Sequence, residues 1–105
     1  MAKATQEAGA LVRVRIPSAL RSYTGGEGEV TVALPVLAPE LPPTLSAVLA
    51  ALDNKHPGLR FRIVDEQGRV RRHIKVFVGL DLARELSAQV PAGRDVMIVV
   101  ALSGG

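Results

Sequence analysis

Few residue types in this 105-residue chain could do chemistry, and their scarcity narrows the options. There is no cysteine. That excludes disulfides, iron–sulfur clusters, zinc–thiolate sites and any mechanism using a protein thiol or persulfide. The two histidines, His56 and His73, are too few for a histidine-rich metal site. His73 falls in a segment that reads as a strand, with no carboxylate or second histidine spaced to join it in catalysis or metal binding. Gly25-Gly26-Glu27-Gly28 is not a phosphate loop, because it lacks a lysine–serine ending and a following helix. Between Lys55 and Lys75, seven cations stand against Asp65 and Glu66, a local charge of +5 beside +3 for the whole chain. Such a cluster reads as a solvated face, as steering toward an acidic protein partner, or as a nucleic-acid surface. The aromatic fraction of 3% leaves few platforms for stacking bases, so nucleic acid is not the expected partner. The remaining candidate is the end of the sequence, Ser103-Gly104-Gly105. Taken alone, a bare diglycine is equally an ordinary frayed end.

The elements that must position these residues follow from periodicity. Leu11 to Ile16 alternates, with Val12, Val14 and Ile16 against Arg13 and Arg15, and reads as a half-buried strand. Glycines between Arg21 and Gly28 turn the chain, and Glu29 to Leu34 alternates again, so the two strands make a hairpin. Pro35 to Pro43, with four of the seven prolines, is a rigid connection. Thr44 is a helix N-cap, and Leu45, Val48, Leu49 and Leu52 follow at helical spacing to about Lys55. His56-Pro57-Gly58 ends that helix. Phe61 to Val64 reads as a short strand, Asp65 to Gly68 as a turn and Val70 to Val78 as another strand. Leu80 to Leu86 is ambiguous and could be one helical turn. After a turn at Pro91 to Arg94, Val96 to Leu102 is apolar on both faces, as a strand in the middle of a sheet is.

This order predicts an α+β chain of one domain, residues 1–105, with a loose tail over 1–10 and a flexible diglycine tail over 103–105. The expected architecture is a β-grasp: a mixed sheet of four to five strands, the last central and parallel to the first, and one main helix across one face. Phe77, Met97 and Val99 are then expected opposite the helix. If that face is open they form an apolar docking patch; otherwise Pro35 to Pro43 covers them or they belong to the core. No run approaches the ~20 apolar residues of a membrane span and the first ten residues do not read as a secretory signal, so the expected compartment is the cytoplasm.

The sequence resembles the ubiquitin-like sulfur-carrier family over about Leu11 to Gly105. That family includes the small subunit of molybdopterin synthase and the carriers of the thiamine and cysteine pathways. The resemblance is carried by Arg15-Ile16-Pro17-Ser18-Ala19-Leu20-Arg21 with Thr24-Gly25-Gly26, by Thr44-Leu45-Ser46-Ala47-Val48-Leu49, and by His56-Pro57-Gly58-Leu59. It continues in Ile74-Lys75-Val76-Phe77-Val78, Pro91-Ala92-Gly93-Arg94-Asp95-Val96 and Ala101-Leu102-Ser103-Gly104-Gly105. The most specific single feature is the diglycine after a β-strand. Departures are Gly79, where the family usually has asparagine, Arg94 between Gly93 and Asp95, and a poor match over Leu80 to Val90.

The resemblance implies a co-substrate and not a catalyst. The Gly105 carboxylate is adenylated by a partner enzyme that uses ATP, and sulfur then replaces AMP to give a thiocarboxylate. Gly104 and Gly105, lacking Cβ atoms, can thread a narrow partner channel, and small Ser103 does not obstruct them. The expected partners are an adenylating, sulfur-transferring activating enzyme and a downstream sulfur-acceptor enzyme, which Phe77, Met97, Val99 and Ser103 would contact. No bound cofactor, metal or membrane is expected. Within the family, Arg15-Ile16-Pro17 through Gly26 looks most like the cysteine-pathway carrier. The alternatives are a protein modifier joined through Gly105 to lysines, and a basic RNA-binding module of the same fold.

Overall fold

The computed structural model describes residues 9–35 and 41–101. Strand β1, Gly9–Arg15, and strand β2, Glu29–Pro35, pair antiparallel from Gly9↔Pro35 to Arg15↔Glu29. Residues 9 and 10, expected in the tail, therefore open β1, whereas residues 1–8 lie outside the described residues. The β1–β2 connection is more ordered than a glycine loop. Ser18–Thr24 forms a 3-10 helix that the sequence reading missed, ended by Gly25 at φ +67. Leu20 and Thr24 of this helix are buried.

Helix α1 runs over Leu45–Lys55, and the Thr44 hydroxyl accepts from the Ala47 amide. The expected cap and both expected ends are present. Leu45, Val48, Leu49 and Leu52 form its fully buried stripe. A second, short helix follows, α2, Leu59–Ile63. This corrects the expected strand at Phe61 to Val64. Gly58 at φ +96 turns the chain, and Asp53 Oδ1 accepts from the Gly58 and Arg60 amides, both at 3.0 Å. Leu59 and Ile63, one turn apart, are both fully buried. Burying that pair on one stripe favours helix over an alternation only a few residues long.

Strand β3, Ile74–Val78, is shorter than expected. Val70 makes only an isolated bridge to Val64, and Arg71 to His73 form a turn. The ambiguous segment contains strand β4, Asp81–Ala83, reached through Gly79 at φ +63. Strand β5 is Val96–Val100. The sheet order is β2-β1-β5-β3-β4, with β5 parallel to β1 and antiparallel to β3. The expected β-grasp is the observed fold: five strands, the last strand central, and α1 across one face.

The core lies between α1 and the inner face of the sheet. Val12, Val14, Val30, Val32, Val76, Val96 and Ile98 pack there with the α1 stripe and with Leu59, Ile63 and Val64. The segment after β4 holds the start of α1. Leu45 and Ser46 amides donate to the Ala88 and Leu86 carbonyls, and the Val90 amide donates to the Pro43 carbonyl. The first two bonds satisfy amides that the first helical turn leaves without partners.

Candidate docking face

Side chains alternate along a strand, so burying Val96 and Ile98 against α1 turns Met97 and Val99 outward. Register extends this across the sheet. Met97 pairs with Arg15 of β1 and Phe77 of β3, Arg15 pairs with Glu29 of β2, and Phe77 pairs with Leu82 of β4. One row therefore crosses all five strands: Glu29, Arg15, Met97, Phe77, Leu82. Four interstrand steps make it roughly 19 Å long. Val99 lies in the neighbouring row beside Lys75. The structure thus brings Phe77, Met97 and Val99 together on the face opposite α1. Met97 is 38% exposed, and Phe77 and Val99 are half-buried.

Met97 forms a ridge between two grooves. One, about 390 Å³, is lined by Pro17, Ser18, Arg21 and Val99 among others, and the second, about 360 Å³, by Arg13, Gly79, Leu80 and Arg94 among others. The Arg21 guanidinium donates to the Ile16 carbonyl at 3.0 Å and lies against Gly28, where a Cβ would meet it at 3.0 Å. Gly79 donates its amide to the Asp95 carbonyl, and a Cβ there would come within 2.9 Å of Arg94 Cδ. Ion pairs rim the face: Arg13 with Asp95 at 3.3 Å and Glu29 at 3.7 Å, and Arg94 with Asp81 at 3.8 Å.

Sequence reasoning missed part of this surface. Leu80 is almost wholly exposed at the β3–β4 turn, Leu82 ends the row, and Leu11 is exposed on β1. The available signal was the Leu80/Leu82 alternation after a glycine, which a helical reading of the segment hides. Arg15 and Arg21, which line the first groove, were not candidate site residues either.

β5 leads toward the end of the sequence. The Ala101 amide donates to the His73 carbonyl at 2.7 Å, which extends the β3–β5 pairing by one contact. Ser103, Gly104 and Gly105 lie outside the described residues, as does Leu102. His73 is exposed in the turn before β3 and not in a strand, which corrects the sequence reading. Its backbone carbonyl, not its ring, holds Ala101. Among the described residues, no three His, Asp or Glu side chains gather as a metal site requires. The titration shift that stands out is at Asp65, away from this face. Amide donation, first from Arg69 and then from Gln67, holds its carboxyl below the usual value, against an opposing contribution from desolvation.

No protein-family model matches the chain. Individual relatives do. The sulfur carrier protein CysO of Mycobacterium tuberculosis (strain H37Rv) is 29% identical over 99 residues, covering 90% of this chain and 98% of the relative. A chain in the crystal structure of the Amycolatopsis orientalis BexX/CysO complex superposes with TM-score 0.74 at 30% identity, covering 90% of this chain and 99% of that one. The protein belongs to the ubiquitin-like sulfur-carrier family. The crystal structure of M. tuberculosis CysO agrees with this, at TM-score 0.71, 27% identity, and coverage of 87% and 99% of the two chains. Two features of this carrier-family chain gain meaning from the match. Its last strand is central in the sheet, and the outer face of that sheet carries Met97, Phe77 and Val99 at least partly exposed. No helix among the described residues is long and apolar enough to cross a membrane.

Proposed function

We propose that this protein is a sulfur carrier, with Gly105 as the carrying residue. A partner enzyme lets the Gly105 carboxylate attack the α-phosphate of ATP, forming an acyl–phosphate bond and releasing pyrophosphate. A hydrosulfide equivalent then attacks the acyl carbon. A carbon–sulfur bond forms, the bond to AMP breaks, and carbon changes neither oxidation state nor substituent number. The resulting thiocarboxylate donates sulfur to a downstream acceptor enzyme. The Ile16-Pro17 region and the likeness to CysO favour cysteine synthesis over cofactor synthesis as its use. The protein is a co-substrate in this scheme; the partners make and break the bonds, and ATP is bound by the activating enzyme.

One observation carries the reading: 99% of a chain from the BexX/CysO complex aligns with this one at 30% identity. The absence of cysteine supports it, since sulfur cannot ride on a side-chain thiol here. The face around Met97 and Phe77 supplies apolar contact area for the two partners, and the glycines supply access to their active sites. A protein partner accords with the crystallised complex of the Amycolatopsis relative.

Deletion of Gly104 and Gly105 tests the proposal. Expected is complete loss of sulfur transfer in cells or with reconstituted partners, with melting temperature and circular dichroism unchanged. Undiminished function in the truncated protein would overturn it and favour a binding role for the folded body.

A further inference from the structure

A basic groove lies along the β3–β4 edge of the sheet, where the outer row ends at Leu82. It is about 190 Å³ and is lined by Arg71, Arg72, Lys75 and Arg84, with Val76 and Leu82 between them. None of the four cations belongs to an ion pair among the described residues. On the docking face Arg13 and Arg94 are paired with Glu29, Asp95 and Asp81, while Arg15 forms no ion pair among the described residues.

Two carboxylates of the basic segment's surroundings are committed to local turns. Asp65 accepts from the Gln67 and Arg69 amides, and Asp53 from the Gly58 and Arg60 amides. Glu85, next to Arg84, faces the Ser87 hydroxyl. Arg71 is held in place, with its Nε donating to the Phe61 carbonyl at 2.7 Å and its guanidinium 4.5 Å from the Phe61 ring centroid. Phe61 itself is 53% exposed. Stacking and the hydrogen bond restrict the Arg71 side chain, so less entropy is lost when it pairs with an anion.

We propose that this groove docks an acidic peptide segment of a partner protein, with Arg71 and Arg84 as the principal contacts. Carboxylates of such a segment would meet guanidinium groups that form no ion pair among the described residues, and the exposed Leu82 would contact its backbone or small side chains. Single-stranded RNA fits less well. Phe61 already has Arg71 against its ring, Tyr23 has Arg62 against its own, and Phe77 does not line the groove. The inference stands apart from the sulfur-carrier proposal, and its test uses none of the C-terminal chemistry.

The test is a titration of the isotope-labelled full chain, followed by amide shifts, with two probes at matched salt. One is a glutamate–glycine peptide of about a dozen residues, and the other is oligouridylate of equal charge. The expected result is saturable shifts at residues 71–75 and 84 with the peptide. The double variant Arg71→Gln/Arg84→Gln should weaken peptide binding about tenfold, and Arg15→Gln on the docking face less than about twofold. Absence of peptide binding, or shifts centred elsewhere, would overturn the proposal. So would oligouridylate binding at this groove more tightly than the peptide.

Discussion

Replacing adjacent residues of β5 tests the assignment of its two faces. Ile98 is 2% exposed and faces α1, whereas Met97 is 38% exposed and faces outward. Each substitution to alanine removes three heavy atoms. For Ile98→Ala the transfer loss is about 2.4 kcal/mol at ~0.8 kcal/mol per methylene. The residual cavity brings the total to about 3 kcal/mol, within the range for such core truncations. At roughly 4–8 °C per kcal/mol for a domain of this size, melting should fall by about 15 °C. Met97→Ala leaves no closed cavity, because solvent reaches the site. Its cost should be about 1 kcal/mol, and its melting shift about 5 °C. Urea and thermal unfolding followed by circular dichroism measure both. Losses within about 0.5 kcal/mol of each other, or a greater loss at Met97, would refute the face assignment and the docking surface derived from it.

Three further outcomes are expected. Met97→Glu should leave the fold stable to within about 1 kcal/mol but weaken association with the activating enzyme by ten-fold or more, on the order of 2 kcal/mol, measured by calorimetry; unchanged affinity would count against docking through this face. Thr44→Ala removes the hydroxyl that accepts from the Ala47 amide and should cost about 1 kcal/mol in urea unfolding. The Asp65 carboxyl is held below its usual value of 3.8 by amides of Arg69 and Gln67, so its stabilising contribution is present above that value and is lost as pH falls through the lower folded value. Wild type should therefore lose more melting temperature than Asp65→Asn on going from about pH 5 to pH 2.5, and parallel curves would show that the turn does not depend on the charge.

What could be read from the residues depended on the length of each pattern. The β1–β2 hairpin was legible because Val12, Val14, Val30 and Val32 repeat on one face over long runs. Helix α1 was legible from Thr44 and four leucine or valine positions on one stripe. The two-sided apolarity of β5 foretold its central place, since one face packs on α1 and the other is partly shared with Phe77 and Arg15. Helix α2 was missed because Phe61 and Ile63 alternate over too short a span, while the informative pair, Leu59 and Ile63, is spaced by one helical turn. The 3-10 helix hid Leu20 and Thr24 in the same way, behind flanking glycines. β4 is three residues long and depends on Gly79 and on pairing with β3, so its own side chains carry little signal. The outward placement of Phe77, Met97 and Val99 was legible because strand parity alone sorts them. Leu80 and Leu82 were not; the cations from Lys55 to Lys75 showed as a cluster, but the groove that joins Arg71, Arg72 and Lys75 to Arg84 forms only once β4 is placed.

The most direct test of the central claim is the intact mass of the protein from its own cells, before and after a thiol-alkylating reagent. With no cysteine in the chain, a thiol-selective label has no side-chain thiol to take. The account predicts a species shifted by replacement of one oxygen by sulfur, with the alkyl group mapped to Gly105. An unmodified mass accompanied by conjugates linking Gly105 to lysines would instead identify a modifier. No modified form at all, with activating enzyme, ATP and a sulfur source supplied, would contradict the account.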